Sequence, residues 1–544
     1  MTNDLRPRIR ALLHATSALL LGMSVRAESA PQPNIVFLFS DDHAPHAIGA
    51  YEGWLAGVDP TPAIDDLAAD GMLFRNSFCT NSICGPSRAV IITGKHSHKN
   101  GFMNNGNNFD GSQQTFPKLL QKAGYETAVL GKWHLKSDPQ GFDLWKILPG
   151  QGLYYNPDLK TPEGKITIEG HCTDIVTDIA VDWLKSGRDK NKPFLLMCQH
   201  KAPHRNWMPA ARHLSLYADM EMPEPPTLFD QWEDNASPAH WQELEIDGHM
   251  HLNLDLFYKL RPEDDYSSVK SDRSAWVNLK RMTEGQKKAW YAHYEPLDRD
   301  LEKRQLSGKE LVRWKYQRYV KNYLRCVRGV DESVARVRQT LKELGLEKNT
   351  IVVYSSDQGF YIGDHGWYDK RWMYEESFQM PLIISWPGVT KPGSTSDLMV
   401  QNIDYAETFL EAAGAPIPSD MQGMSLVPLL RGESPDYWRK ALYYHYYEYP
   451  SVHMVPRQNG IRTERYKLIN FYEFGEEELY DLENDPDELT NLASNPEYAG
   501  KLAELRGRLQ GLVEKYEDDT VTDKKPEAWI QEMRTQQYRV EDKL

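Results

Sequence analysis

Asn34-Ile35-Val36-Phe37-Leu38-Phe39-Ser40-Asp41-Asp42 is an apolar run closed by two carboxylates. A run this short that is apolar at every position predicts a strand buried on both faces, as in the middle of a parallel sheet. The same reading applies to Thr127–Leu130, Phe194–Cys198, Ile351–Tyr354 and Leu382–Ser385. Between these runs lie amphipathic stretches. Thr61–Asp70 opens with Pro62 in its first turn, and Cys326–Leu344 stops at Gly345, so both predict helices. Strands alternating with helices indicate an α/β fold with a large, mostly parallel sheet flanked by helices.

Ligands of such sheets bind beyond the carboxyl ends of the strands. Four predicted strands here run into reactive groups. The first ends at Asp41-Asp42, the strand through Val129 at Lys132-Trp133-His134, and Phe194–Cys198 at His200-Lys201 and then His204. The fourth, Thr350–Ser356, ends at Asp357-Gln358. One polar strand end means little, whereas four on one sheet edge form a constellation. Asp41, Asp42, Asp357 and the amide oxygen of Gln358 are hard oxygen donors with no histidine-rich or cysteine-rich cluster beside them. That chemistry suits Ca²⁺, or Mg²⁺, rather than zinc.

The bulk numbers narrow the function. The chain has 544 residues, 40% of them hydrophobic, and a formal charge of −15, which excludes nucleic acid as a natural partner. Arg6, Arg8 and Arg10 precede an apolar run from Ala11 to Val25 that ends in small residues at Ala27 or Ala30. Residues 1–30 therefore read as a signal peptide, and the protein as exported, periplasmic or secreted. The run is shorter than the ~20 residues of a membrane span. Five cysteines are too few for a disulfide scaffold. Residues 31–435 read as the catalytic α/β domain. Within it, 205–325 is rich in Pro, Trp, Tyr and mixed charge and reads as a helical and loop insertion near the site rim. Residues 436–544 read as a C-terminal subdomain: strand-like Ala441–Tyr449, Gly460–Phe471 and Glu478–Leu482, then a helix over Tyr498–Tyr516. Nothing in the residues specifies an oligomeric state.

Cys84-Gly85-Pro86-Ser87-Arg88, followed by Thr93-Gly94-Lys95, resembles the signature of type I sulfatases, in which a maturation enzyme oxidises the cysteine to formylglycine. The hydrated aldehyde has two hydroxyls on one carbon, one to attack sulfur and one to expel the sulfate, a form of covalent catalysis. The resemblance extends over roughly residues 33–500 and implies an alkaline-phosphatase-like fold with a smaller antiparallel sheet plus helix. It also implies one divalent ion, usually calcium, held by Asp41, Asp42, Asp357 and Gln358 against residue 84. Many relatives carry Asn at the position of Gln358. By the same resemblance Lys132 and Lys370 contact the sulfate, Arg88 supports residue 84, His134 deprotonates the second hydroxyl and His204 protonates the leaving alcohol.

The stretches Gly363-Asp364-His365-Gly366 and Lys370–Ser377 look most like bacterial N-acetylglucosamine-6-sulfatase-like glycan sulfatases. The implied substrate is a sulfated carbohydrate. Arg371, His445, His453 and Arg457 are the candidates for sugar recognition. Val455-Pro456-Arg457-Gln458-Asn459 departs from the basic or aromatic run expected before Gly460, at a place able to reach the sugar. The competing readings are a sulfatase for another glycan position, a formylglycine-dependent phosphonate or phosphodiester hydrolase, and an unmodified sulfated-glycan-binding protein.

Overall fold

The computed structural model describes residues 32–269 and 273–536. The predicted signal peptide and the end of the C-terminal tail lie outside them. The large sheet has, from edge to edge, Ser394–Ser396, Met72–Phe74, Leu382–Ser385, Thr350–Ser356, Asn34–Ser40, Phe194–Gln199, Glu126–Lys132, Leu144–Leu148, Asp158–Thr161 and Gly164–Thr167. Its central strands are parallel, with Asn34–Ser40 between Thr350–Ser356 and Phe194–Gln199. Glu126–Lys132 follows, also parallel. Leu382–Ser385 runs antiparallel to its neighbour, as do the short strands at the far edge.

The alternation of strand side chains builds two apolar layers. Val36, Leu38, Leu130, Leu196, Val352 and Tyr354 face one layer of helices. Ile35, Phe37, Phe39, Val129, Leu195, Met197 and Val353 face the other. Every residue of Asn34–Ser40 and Thr350–Ser356 is buried, which is why those runs are apolar without alternation.

The helix expected over Cys326–Leu344 begins 18 residues earlier than expected, as Gly308–Glu343, a span of 36 residues. The reason lies in its first half, where Tyr316, Tyr319 and Tyr323 take the buried positions among many charges and hide the apolar period. The segment 205–325 thus ends inside a helix rather than at an element boundary. It holds helices Ser274–Arg281 and Glu284–Arg304, the second opened by a capping box of Thr283 and Gln286. Among the described residues no helix is long and apolar enough to cross a membrane.

Near the C-terminus, Leu442–Tyr446, Gln458–Arg462, Tyr466–Phe471 and Glu476–Asp481 form an antiparallel sheet. One face, with Tyr443, Ile461, Leu468 and Leu479, packs on Leu502, Leu505 and Leu509 of helix Ala499–Tyr516. Tyr444, Ile469, Phe471 and Tyr480 point the other way, into the core shared with the large sheet. That second face brings the strand Leu442–Tyr446 against the catalytic loops.

Candidate active site

The parallel register explains how distant residues meet. Ser40 pairs with Ser356, Phe39 with Gln199, and Gly131 with Gln199, so the residues that follow emerge together on one edge. Gly131 is required there. Its φ is +90°, and a Cβ would fall 1.9 Å from the Gln199 carbonyl oxygen. Helix Cys84–Thr93 points its N-terminus, the positive end of its dipole, at the same edge, and Gly94 closes it with φ +64°. Thr93-Gly94-Lys95 is therefore a helix stop, with Lys95 paired to Asp420 on the surface.

Asp41, Asp42 and Asp357 are fully buried and present carboxylate oxygens within 4.8 Å of one another. Burial resists ionising three such groups side by side. It pushes Asp42 up to about 8, against Lys370, and Asp357 up to about 6, with Asp41 adding to the shift. At Asp41 burial is outweighed by Lys132, His204 and Arg88, so its pKa lies well below the usual range. Asp41 Oδ1 and Gln358 Oε1 are buried oxygens with no hydrogen-bond partner, although Arg88 Nη2 lies 3.5 Å from the former. Asp41, Asp42, Asp357 and Gln358 are residues that would hold a hard divalent cation, which would neutralise the crowded carboxylates, while Gln358 Nε2 here donates to Asp42.

The cations are arranged around the carboxylates. Lys132 pairs with Asp41, and Lys370 Nζ lies 2.7 Å from both oxygens of Asp42. Arg88 donates to Asp357 Oδ2 from Nε at 3.0 Å and Nη2 at 2.9 Å, while Nη1 donates to the Lys132 carbonyl at 2.6 Å. The buried guanidinium thereby ties the Cys84 helix to two strand ends. Leaving either member of such a pair alone costs about 3–5 kcal/mol.

Cys84, Asp41 and His204 offer atoms within 4.8 Å of one another. Burial, then Asp41, pushes the Cys84 thiol far up. His204 Nδ1 donates to the Arg205 carbonyl at 2.5 Å, so the ring meets the cluster through Nε2, 3.8 Å from Asp42 Oδ2. Burial and Lys132 hold His204 well below the ordinary histidine range, against Asp41. His134 is lowered in the same way, and its buried Nδ1 has no partner.

A cavity of about 270 Å³ opens above this floor, lined by Cys84, His204, Lys370, Arg371 and His453 among the expected residues. Arg371 Nε donates to Asp369 Oδ1 at 3.1 Å, and His453 Nε2 lies 3.5 Å from Asp369 Oδ2. Asp42, His134, Asp369, Arg371 and His453 all have positive φ. Such backbone is costly for these residues and concentrates at functional sites.

Two expected sugar contacts do not line the cavity. His445 is locked between Asp518 Oδ2 at 2.8 Å and the Tyr472 hydroxyl at 3.0 Å. Arg457 is spent on Glu473 at 2.9 Å and the Tyr447 carbonyl at 2.8 Å. Both hold the small sheet together. The cavity is instead completed by Asn105, Gln151, Lys201, Arg205, Asn206, Ser274, Asp369, Glu448 and Val452. Lys201 and Asp369 sit beside motif residues and were open to sequence reading, whereas Asn105, Gln151 and Ser274 lie in segments with no chemical signature.

The sulfatase family model matches residues 33–415. The C-terminal model of N-sulphoglucosamine sulphohydrolase matches residues 363–515. An N-acetylglucosamine-6-O-sulfatase of Bacteroides thetaiotaomicron is 47% identical over 503 residues, covering 91% of this chain and 89% of the relative. The human N-acetylglucosamine-6-sulfatase is 26% identical, over 90% and 87%. A solved structure in complex with its substrate, D-glucosamine-2-N,6-O-disulfate, superposes with a TM-score of 0.85 at 46% identity, covering 90% of this chain and 99% of the other. With the carboxylate cluster, the cations around it and the Cys84 helix in one site, the chain belongs to the sulfatase family and is a sulfuric ester hydrolase.

Proposed function

We propose that the protein is an exported sulfatase that removes the 6-O-sulfate of N-acetylglucosamine or N-substituted glucosamine in sulfated glycans. The observation that carries this reading is a single cavity whose wall brings Cys84, His204 and Lys370 together with the Asp369–Arg371–His453 group. A volume of about 270 Å³ lies just below the usual range of ligand pockets, ~300–1,000 Å³, and suits a single sugar ring. The names of the 47%-identical relative and of the bound disulfate in the solved complex support the same sugar.

Cys84 is the residue that a maturation enzyme would convert to formylglycine, whose hydrate would supply an attacking hydroxyl and a second one to free the sulfate. Asp41, Asp42, Asp357 and Gln358 would hold a divalent cation, Ca²⁺ or Mg²⁺, which would add positive charge beside the sulfo group. This chain's residues do the rest. Lys132 and Lys370 bind sulfate oxygens, and Arg88 fixes the helix that carries residue 84. His204 delivers a proton to the departing sugar oxygen from Nε2, since Nδ1 is committed to a carbonyl. His134 takes the proton of the second hydroxyl. Arg371, His453 and Asp369 hold sugar hydroxyls. Export to the periplasm or medium rests on residues 6–30.

The test is sulfate release by matured protein from a panel of monosulfated sugars led by N-acetylglucosamine 6-sulfate. Conversion at residue 84 is followed by the mass of peptide Asn76–Arg88, and Cys84→Ala is the inactive control. Release confined to 6-sulfated glucosamines is expected. Fully converted protein that leaves those sugars intact but cleaves another sulfate position or a phosphonate would overturn the assignment.

A further inference from the structure

Lys201 follows the strand Phe194–Gln199, is 1% exposed and lines the cavity with Cys84 and His204. Its ammonium has no hydrogen-bond partner and no ion pair among the described residues. Its close contact is the ring of Tyr154, 4.9 Å from Nζ to the centroid. The other lysines and arginines of the site are each matched by a carboxylate: Lys132 by Asp41, Lys370 by Asp42, Arg88 by Asp357, Arg205 by Asp255 and Arg371 by Asp369.

A buried ammonium without a counter-ion is costly, and a fold retains one where a ligand completes it. The location says which ligand. Lys201 shares the cavity wall with Cys84 and His204, the residues that the proposed function sets at the sulfo group. Tyr154 links it to the proton donor as well, because the hydroxyl of the same tyrosine donates to the His204 carbonyl at 2.7 Å.

We propose that Lys201 is a further sulfo-group residue, whose ammonium donates to a non-bridging sulfate oxygen on the His204 side. Ester binding then supplies the negative charge that the fold leaves out. The inference rests on the reading of this cavity as the sulfatase site. A cation that meets a monoanionic ester should meet the released dianion more strongly, so product inhibition reports on it directly.

The experiment uses matured full-length enzyme with Lys201→Met, neutral and close in shape, and Lys201→Arg. Steady-state kinetics on N-acetylglucosamine 6-sulfate, the inhibition constant of inorganic sulfate and the melting temperature are measured for each. In Lys201→Met, kcat/KM should fall by about 10²-fold, the scale of one lost anion-stabilising donor. The sulfate inhibition constant should rise at least ~10-fold. The melting temperature should stay the same or rise, because an uncompensated charge is gone, and Lys201→Arg should regain part of both kinetic losses. A Lys201→Met enzyme with unchanged sulfate inhibition overturns the proposal, whether its activity is intact or lost along with a lowered melting temperature. Cys84→Ala separates the two levels. If it still turns over, the reading of the cavity fails and takes Lys201 with it. If it is dead while Lys201→Met matches the parent, Lys201 alone falls.

Discussion

Replacing His204 by alanine should injure the enzyme selectively, according to how badly the leaving group needs a proton. The sugar O6 leaves as a poor alkoxide, whereas a nitrophenolate leaves unaided. General acid catalysis contributes about 10²–10⁴-fold, or roughly 3–5 kcal/mol at 1.36 kcal/mol per tenfold. The surroundings place this residue toward the low end of that range. The His204 side chain is 14% exposed at the cavity, so truncation admits water, which can donate in its place. Lys132 and Lys370 keep their positions on Asp41 and Asp42 without it. The expected loss in kcat/KM is therefore about 10²–10³-fold on N-acetylglucosamine 6-sulfate and less than about 10-fold on 4-nitrophenyl sulfate. The assay is the ratio of the two kcat/KM values in the variant against the parent, at equal conversion of residue 84. Equal losses on both substrates would refute the proton-donor role and leave His204 as a binding residue.

Chelation should remove activity and lower the melting temperature together, with Ca²⁺ restoring both. A ligand at 100 times its Kd adds about 2.7 kcal/mol to the native state. Verified metal-free protein with the parent melting temperature would count against a cation on Asp41, Asp42, Asp357 and Gln358. Stability should also fall on acidification through the buried histidines. Burial lowers His200 to about 4, so below about pH 6.5 the unfolded chain binds a proton that the native site refuses. Its share of stability is present above that pH and is lost as the pH drops toward 4. Between pH 7 and 5 this amounts to about 2 kcal/mol, and urea unfolding of His200→Gln should show an acid slope shallower by that much. An unchanged slope would place the acid sensitivity elsewhere.

Much of the site was legible because its chemistry sits at strand ends. A strand buried on both faces advertises itself as an unbroken apolar run, and in a parallel sheet the residue after each run lands on the same edge. Asp41, Lys132, His204 and Asp357 could thus be grouped from local pattern alone, and Cys84 stood out by its motif. The sugar-binding residues are less legible. His445 and Arg457 have the right chemistry, and only their contacts reveal that Asp518 and Glu473 already occupy them.

The amino-acid sequence by itself determined the α/β class, the strands of the central sheet, the reactive groups at its carboxyl edge and the family. These follow from local periodicity and short motifs, which need no knowledge of distant neighbours. Tertiary structure alone decided which polar groups remain free. Glu448, which follows the strand Leu442–Tyr446, reaches the cavity because the small sheet docks through its second face, and Lys201 is conspicuous only because the other lysines and arginines of the site have carboxylates and it has none. Pairing is a property of side chains brought together from across the chain, and no window of sequence contains it.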